Sequence, residues 1–449
     1  MKISNILLLS LFGASLLSVT SCKKFLDVQP KDQVSDAQTI VDGASAQTAV
    51  RGIYNELESN DYYGMTFQTL GFFSGDNIQY VGSQTVNQQL TNHAVISDLA
   101  ALNTSWAAIY NVINRSNNVI SKLPGIAVSS TLTDTLKKQL LGEAYFLRAL
   151  AYFDLARTWG GVQLVLTPTA SATDATKAKR SSLADTYAQV LKDLTQAETL
   201  LPNTTNRIRA TRKTAQALHA RFALYQKDWA TAESYASILI ADNNYSLLTP
   251  YSAFWAGNTK ESIFELYYTT TVTNTEAYNW EPTTNGGVGW ITPTSTIVTL
   301  LLDPTTGGNR SALIQSVTSS GLTKYYGNLY YRTNGTDPAY LIRLAEVYLI
   351  RAEARAQQSK TTDAAADLNA VRTRAGLPNT TATSQADLLT AIENENRLEF
   401  AFEDHRWYDL VRTGRAQTVL GITDANKLLL PIPYSQLLVD PNLTQNPGY

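Results

Sequence analysis

ALHARFALYQKDWATAESYASIL, residues 217–239, is the stretch from which the fold can be read. Ala217, Ala220, Leu224 and Tyr225 recur at helical spacing. Lys227-Asp228-Trp229 breaks the period, and Ala232, Tyr235, Ala236 and Leu239 resume it. Alanines at a crossing let two helix backbones approach closely while Tyr and Leu fill the flanking grooves, so the stretch specifies a tetratricopeptide-like pair of helices. A helix, short turn, helix pattern recurs at Leu183 to Leu201, Arg212 to Asp242, Tyr340 to Gln358 and Ala364 to Ala375. Repetition at this scale predicts a mostly α fold, a tetratricopeptide-like helical repeat scaffold.

Working outward, Trp106, Ile109, Tyr110, Ile113 and Ile120 fall near helical spacing between Ser105 and Leu123, and Pro124-Gly125 ends that run. Leu140, Ala144, Leu147, Ala151 and Leu155 make one stripe on a second helix, roughly Thr133 to Thr158, stopped by Gly160-Gly161. The two are expected to pack as an antiparallel pair. Between about 248 and 338 the composition changes to Thr, Asn, Gly and Tyr with short strand-like runs such as Ser262 to Tyr268. We read this as a loop-rich irregular insertion on the scaffold. A Pro- and Asn-rich tail, Leu430-Pro431-Ile432-Pro433 to Tyr449, closes a single helical domain expected over 36–449.

At the other end, Lys2 precedes a mostly apolar run from Ile6 to Val19 that is too short for a membrane-spanning helix and reads as a secretory signal peptide over 1–21. It stops at Val19-Thr20-Ser21-Cys22, the order found at lipoprotein cleavage sites. Cys22 is the chain's single cysteine, so an internal disulfide is excluded and lipidation of Cys22 is expected, with 22–35 as a tether. The attachment to membrane is then through the N-terminal lipid.

Lys and Arg together number 36 against 38 Asp and Glu, which leaves no basic field for phosphate backbones and argues against nucleic acid as a partner. His93, His219 and His405 are widely separated, with no HExxH and no thiol partner, so neither a metal site nor a cofactor is expected. Walker-type, dinucleotide and nucleophile-elbow glycine motifs do not occur. Glu399 and Glu403, in the charge-dense segment Glu393 to Arg412, could on one helical face supply a glycosidase's two carboxylates. Opposite charges at Glu393 and Arg397, Glu403 and Arg406, and Asp409 and Arg412 favour instead a structural ion network, with His405 as a packing histidine and no catalytic residues.

The 24 Tyr and 7 Trp suggest a surface that binds something, and sugars are bound by exposed aromatic rings beside amides and carboxylates. Trp280, Trp290 and Tyr278, set among Asn279, Glu281, Asn285 and glycines, are the expected ligand-binding residues. An earlier loop adds Asp76, Asn77 and Tyr80, with Gln79 between them. Trp106 and Trp229, which fall on helical stripes, are expected in the packing.

Several ordered segments together resemble the SusD/RagB family of outer-membrane lipoproteins of Bacteroidetes. They are Cys22 followed by Phe25-Leu26-Asp27 and Pro30, and Gly142 to Ala149 leading to Trp159-Gly160-Gly161-Val162. Further along come Tyr340 to Leu349, Arg397 to Arg412, the Leu430-Pro431-Ile432-Pro433 segment and the terminal Asn442 to Tyr449. The resemblance implies a cell-surface protein of the outer membrane that binds an oligosaccharide or polysaccharide and passes it to a SusC-like TonB-dependent barrel, without hydrolysing it. Peptide capture by the same architecture is the nearest alternative it implies. Two departures stand out: the chain is short for the family, and Lys23-Lys24 follow Cys22 in place of an acidic run.

Overall fold

Helical hairpins, stacked side by side, carry the rest of the chain in a computed structural model that describes residues 39–169 and 178–449. The expected signal peptide and the tether with Cys22 lie outside the described residues. The scaffold helices are α1 (Gly43–Leu57), α2 (Thr66–Ser74), α3 (Ala100–Lys122), α4 (Asp134–Trp159), α5 (Leu183–Leu200), α6 (Arg212–Tyr225) and α7 (Trp229–Ile240). After the insertion, in which α8 (Ser295–Leu302) lies, come α9 (Leu344–Gln357), α10 (Thr361–Arg374), α11 (Gln385–Glu399) and α12 (Arg406–Arg412). From α3 to α7 each helix packs on the next. α7 then packs directly on α9, and α9 on α10, so the repeat continues across the segment 241–338.

Local chemistry starts these helices where the sequence says it should. Thr133, Ser182 and Asp228 each accept a backbone N–H of the first turn through the side chain, and Thr211 with Thr214 forms a capping box. In the turn between α6 and α7, Lys227 takes a left-handed φ of 58° just ahead of the Asp228 cap. The alanines of the deciding stretch, Ala217, Ala220, Ala232 and Ala236, are buried as the close crossing requires.

From Leu140 onward α4 is buried nearly all round, so its charges must be paired inside. Arg148 meets Asp193 at 2.7 Å, Arg209 meets Glu143 at 2.6 Å, and Asp154 accepts from Tyr62, Tyr63 and Arg157. The helix ends at Gly160, with φ 82°, and at Gly161, where a Cβ would sit 2.2 Å from the Ser181 carbonyl oxygen. The C-terminal tail closes over this turn. Trp159 Nε1 donates to the Pro431 carbonyl at 3.0 Å, Asn446 Nδ2 donates to the Trp159 and Leu430 carbonyls, and Arg180 reaches Gly161, Thr444 and Asn446. Two motifs nearly 300 residues apart in sequence are thus one structural lock.

Two expectations need correcting. The run from Tyr340 is not helical at its start: Ala339–Arg343 is a strand paired antiparallel with Ser262–Leu266, and the helix begins only at Leu344. Five consecutive buried residues, Ala339 to Arg343, suit a strand covered on both faces as well as they suit a helix, and periodicity alone does not separate the two. The segment Arg397 to Arg412 is also not one helix. α11 ends at Glu399, Phe400 leaves helical geometry, and α12 starts at Arg406. Of the three local ion pairs expected there, Asp409 with Arg412 forms at 2.8 Å. The other charges pair across the fold: Arg397 with Asp76 at 2.9 Å, Glu393 with Arg415 at 3.0 Å, and Glu403 with Arg343 at 2.6 Å.

Glu399 and Glu403 belong to a buried seam. Arg343 binds Glu403, Glu261 and Glu399; Arg310 binds Glu399 at 2.8 Å and Glu395 at 2.5 Å; and Arg374 binds Glu261 and Glu399. Arg372, at 3.0 Å from Glu395, brings the count to four guanidiniums for four carboxylates. Burial acts to raise the Glu399 pKa, but Arg374, Arg310 and Arg343 outweigh it and hold the carboxyl well below its usual range. Such a seam adds little net stability over an apolar replacement, yet loss of one member strands a charge at a cost of roughly 3–5 kcal/mol. It ties the insertion, through Glu261 and Arg310, to α9, α10 and α11.

Candidate functional site

The insertion begins to make a surface at Asn285. Gly286 and Gly289 both take left-handed φ values, 88° and 60°, and a Cβ at Gly287 would meet the Glu281 carbonyl oxygen at 2.1 Å. Glycine there lets the chain fold back on the short helix Glu276–Trp280, fastened by Val288 N–H donating to the Tyr278 carbonyl at 2.8 Å. The turn delivers Trp290 to the start of strand Ile291–Pro293, which pairs antiparallel with Ile78–Tyr80. The ladder is extended by Val81 N–H donating to the Trp290 carbonyl at 2.8 Å.

Strand alternation then divides the side chains. Ile78, Tyr80 and Ile291 are buried, whereas Gln79 and Thr292 turn the other way. With Val81 these two line one side of an open groove of about 520 Å³. Val298 and Thr299 of α8 contribute to its lining, and Lys324 and Tyr325 close it from a β-hairpin, Ile314–Ser319 with Leu322–Gly327. Ser320 and Gly321, both at positive φ, make the tight turn of that hairpin. Trp290, Tyr325 and Tyr278 remain 39%, 42% and 51% exposed. The groove's lining carries one charge, Lys324. An open groove whose lining carries one tyrosine ring, hydroxyls, an amide and one ammonium can hold an extended polar ligand with apolar faces.

Trp290 and Tyr278 therefore stand at the surface. Trp280 does not: it is 1% exposed, its Nε1 donates to Glu276 at 2.9 Å, and its ring packs against Phe72 and Phe402 with Gly327 beneath it. The ring follows its short helix into the core because Glu276, at the start of that helix, is itself buried and receives Gln68. The earlier loop is likewise inward. Asp76 is held by Arg406 at 2.7 Å and Arg397 at 2.9 Å. Asn77, 2% exposed, accepts from Arg397 and donates to the Arg397 and Ala401 carbonyls, and Tyr80 is buried edge-on against Phe73. These four side chains are corrections to the expected surface. Of that loop, Gln79 lines the groove. Tyr325 and Lys324 did not figure among the expected residues, although Ser320-Gly321 between two alternating runs is a hairpin signal that could have found them.

The fold and site define a helical-repeat scaffold bearing an open groove on an irregular insertion. Comparison with known proteins is specific. A family model described as SusD-like, starch-binding and associating with the outer membrane matches residues 24–224, and the SusD family model matches 301–428. The SusD-like protein P38 of Formosa agariphila is 27% identical, with 100% of both chains covered. A SusD superfamily protein from Bacteroides vulgatus superposes with a TM-score of 0.82 at 21% identity, over 91% of this chain and 99% of that one. A laminarin-binding SusD-like protein gives 0.80 at 25% identity, over 91% and 100%. The chain belongs to the SusD/RagB family. No helix among the described residues is long and apolar enough to cross a membrane.

Proposed function

We propose that this protein captures an oligosaccharide or polysaccharide in the groove between Gln79, Thr292 and Tyr325 and delivers it to a SusC-like TonB-dependent barrel. In this reading it is held at the outer face of the outer membrane by a lipid on Cys22. The observation that carries the reading is the open groove of about 520 Å³ lined by Gln79, Thr292 and Tyr325, with the part-exposed Trp290 following its lining residue Gly289 in the chain. Binding of laminarin by a relative of the same fold supports a glycan as ligand. An indole or phenol on a pyranose face contributes about 1–3 kcal/mol, so each ring is worth about tenfold or more in affinity. Calorimetric titration of a polysaccharide panel, laminarin included, against wild type, Trp290→Ala and Tyr325→Ala tests this. Both variants should bind the cognate glycan at least about tenfold more weakly with unchanged melting. Equal affinity in all three proteins would remove the groove from the reading. Loss of the Cys22→Ser protein from washed membranes is the corresponding outcome for the anchor.

A further inference from the structure

A second concavity, of about 290 Å³, lies between the end of α9, the middle of α11 and α12, and shares no lining residue with the groove. Its charges are unevenly divided. At one end Arg397, Arg406 and Arg415 share two carboxylates: Asp76 serves Arg397 and Arg406, and Glu393 serves Arg406 at 3.5 Å and Arg415 at 3.0 Å. At the other end the proportion is reversed. One guanidinium, Arg412, takes both oxygens of Glu353 at 2.7 Å and one of Asp409 at 2.8 Å. The next charges outward are already matched, Glu346 by Arg221 and Glu395 by Arg310 and Arg372.

The pocket is therefore short of one negative charge at its first end and of one positive charge at its second. The groups that show the imbalance are reachable: Arg415 keeps 48% of its side chain open, and Glu393 and Asp409 each keep 20%. Burial lowers the Arg397 pKa, opposed by Asp76 and aided by Arg406, and burial raises that of Asp409, opposed by Arg412 and aided by Glu353 and Glu346. The lining also includes the apolar Leu389 and the hydroxyls of Thr390 and Thr413.

We infer that this pocket is a second binding site, for a small zwitterion of amino-acid or dipeptide size. The ligand's carboxylate is received by the Arg397, Arg406 and Arg415 end, and its ammonium by Asp409 and Glu353. A guanidinium's planar fork suits a carboxylate, and two acids that share the single Arg412 suit an ammonium's three donors. Asp76 connects the site to the groove through the backbone, since it holds two of the pocket's arginines and lies two residues before the strand Ile78–Tyr80.

The test is titration of the purified protein at low salt with glycylglycine and γ-aminobutyrate as probes, and with acetate and methylammonium as single-charge controls. A zwitterion should bind at least about tenfold more tightly than either control. Arg415→Gln, at an exposed position, should weaken it at least about fivefold without altering the melting midpoint. Thr390→Trp should block the pocket, and Trp290→Ala should leave zwitterion binding untouched, which keeps this result independent of the groove. Acetate binding as tightly as glycylglycine, no saturable binding of either zwitterion, or full affinity in Arg415→Gln would each overturn the inference.

Discussion

Trp280 and Trp290 stand ten residues apart in the same Asn- and Gly-rich stretch, yet they do opposite jobs. Around Trp280 every neighbour turns the ring inward: Glu276 takes its Nε1 proton, Phe72 and Phe402 flank it, and the backbone of Gly327 leaves room for its edge. Trp290 follows the glycine turn and leads into the short strand, and its ring stays 39% exposed. Local composition is the same for both. What separates them is which distant segments arrive to cover the ring, namely α2, the turn after α11 and the end of the hairpin for Trp280.

The comparison can be broken most forcefully at Trp280. Trp280→Ala removes a fully buried indole and leaves a cavity, with an expected loss of roughly 3–5 kcal/mol in a urea melt. A loss below about 1 kcal/mol would mean that the ring is not packed as described. Gly327→Ala probes the same packing from beneath, because a Cβ there would fall 2.6 Å from the indole ring; a cost of about 1–3 kcal/mol is expected, reduced when combined with Trp280→Phe.

A third effect follows from Glu276. Burial raises its pKa to about 8, against the opposing hydrogen bond from Trp280, so the carboxyl is protonated in the fold at neutral pH. Because the folded pKa lies above the unfolded value of about 4.3, this group's contribution to stability is complete below that value and is lost as pH rises toward 8. The stability of the wild type should fall across that window, and that of Glu276→Gln, which has no proton to lose, should fall less steeply, by up to roughly 5 kcal/mol over the whole interval. Parallel curves would sink this account. The smallest stability effect is expected at the other ring: Trp290→Ala should cost about 1 kcal/mol or less in melting while reducing glycan affinity, and a large drop in melting would show Trp290 to be a second packing residue.

Much of the architecture is legible in the chain, and the limits of that legibility are physical. Helix pairs such as Arg212–Tyr225 with Trp229–Ile240 are written in residues three and four apart and in caps beside the helices they start, so a local reading finds them. The seam at Arg343 defeats a local reading. Glu403 and Arg406 have the spacing of a helical pair, but the helix stops at Glu399 and Glu403 finds an arginine 60 residues away. A charge a few residues distant is an available partner in any sequence, and the one used depends on which strand is laid alongside. The same holds for Asp76 and Asn77, whose composition suits a ligand and whose actual partners are Arg397 and Arg406.

By itself, then, the sequence determined the repeat of helix pairs and the family, because each of these is carried by neighbours along the chain or by motifs in fixed order. Tertiary structure alone decided which aromatic rings meet solvent, which carboxylates are neutralised inside, and that Gln79, Thr292, Val298 and Tyr325 share one groove. Exposure and charge pairing are properties of what packs against a side chain, and the partner lies 60 positions away for Glu403 and 320 for Asn77.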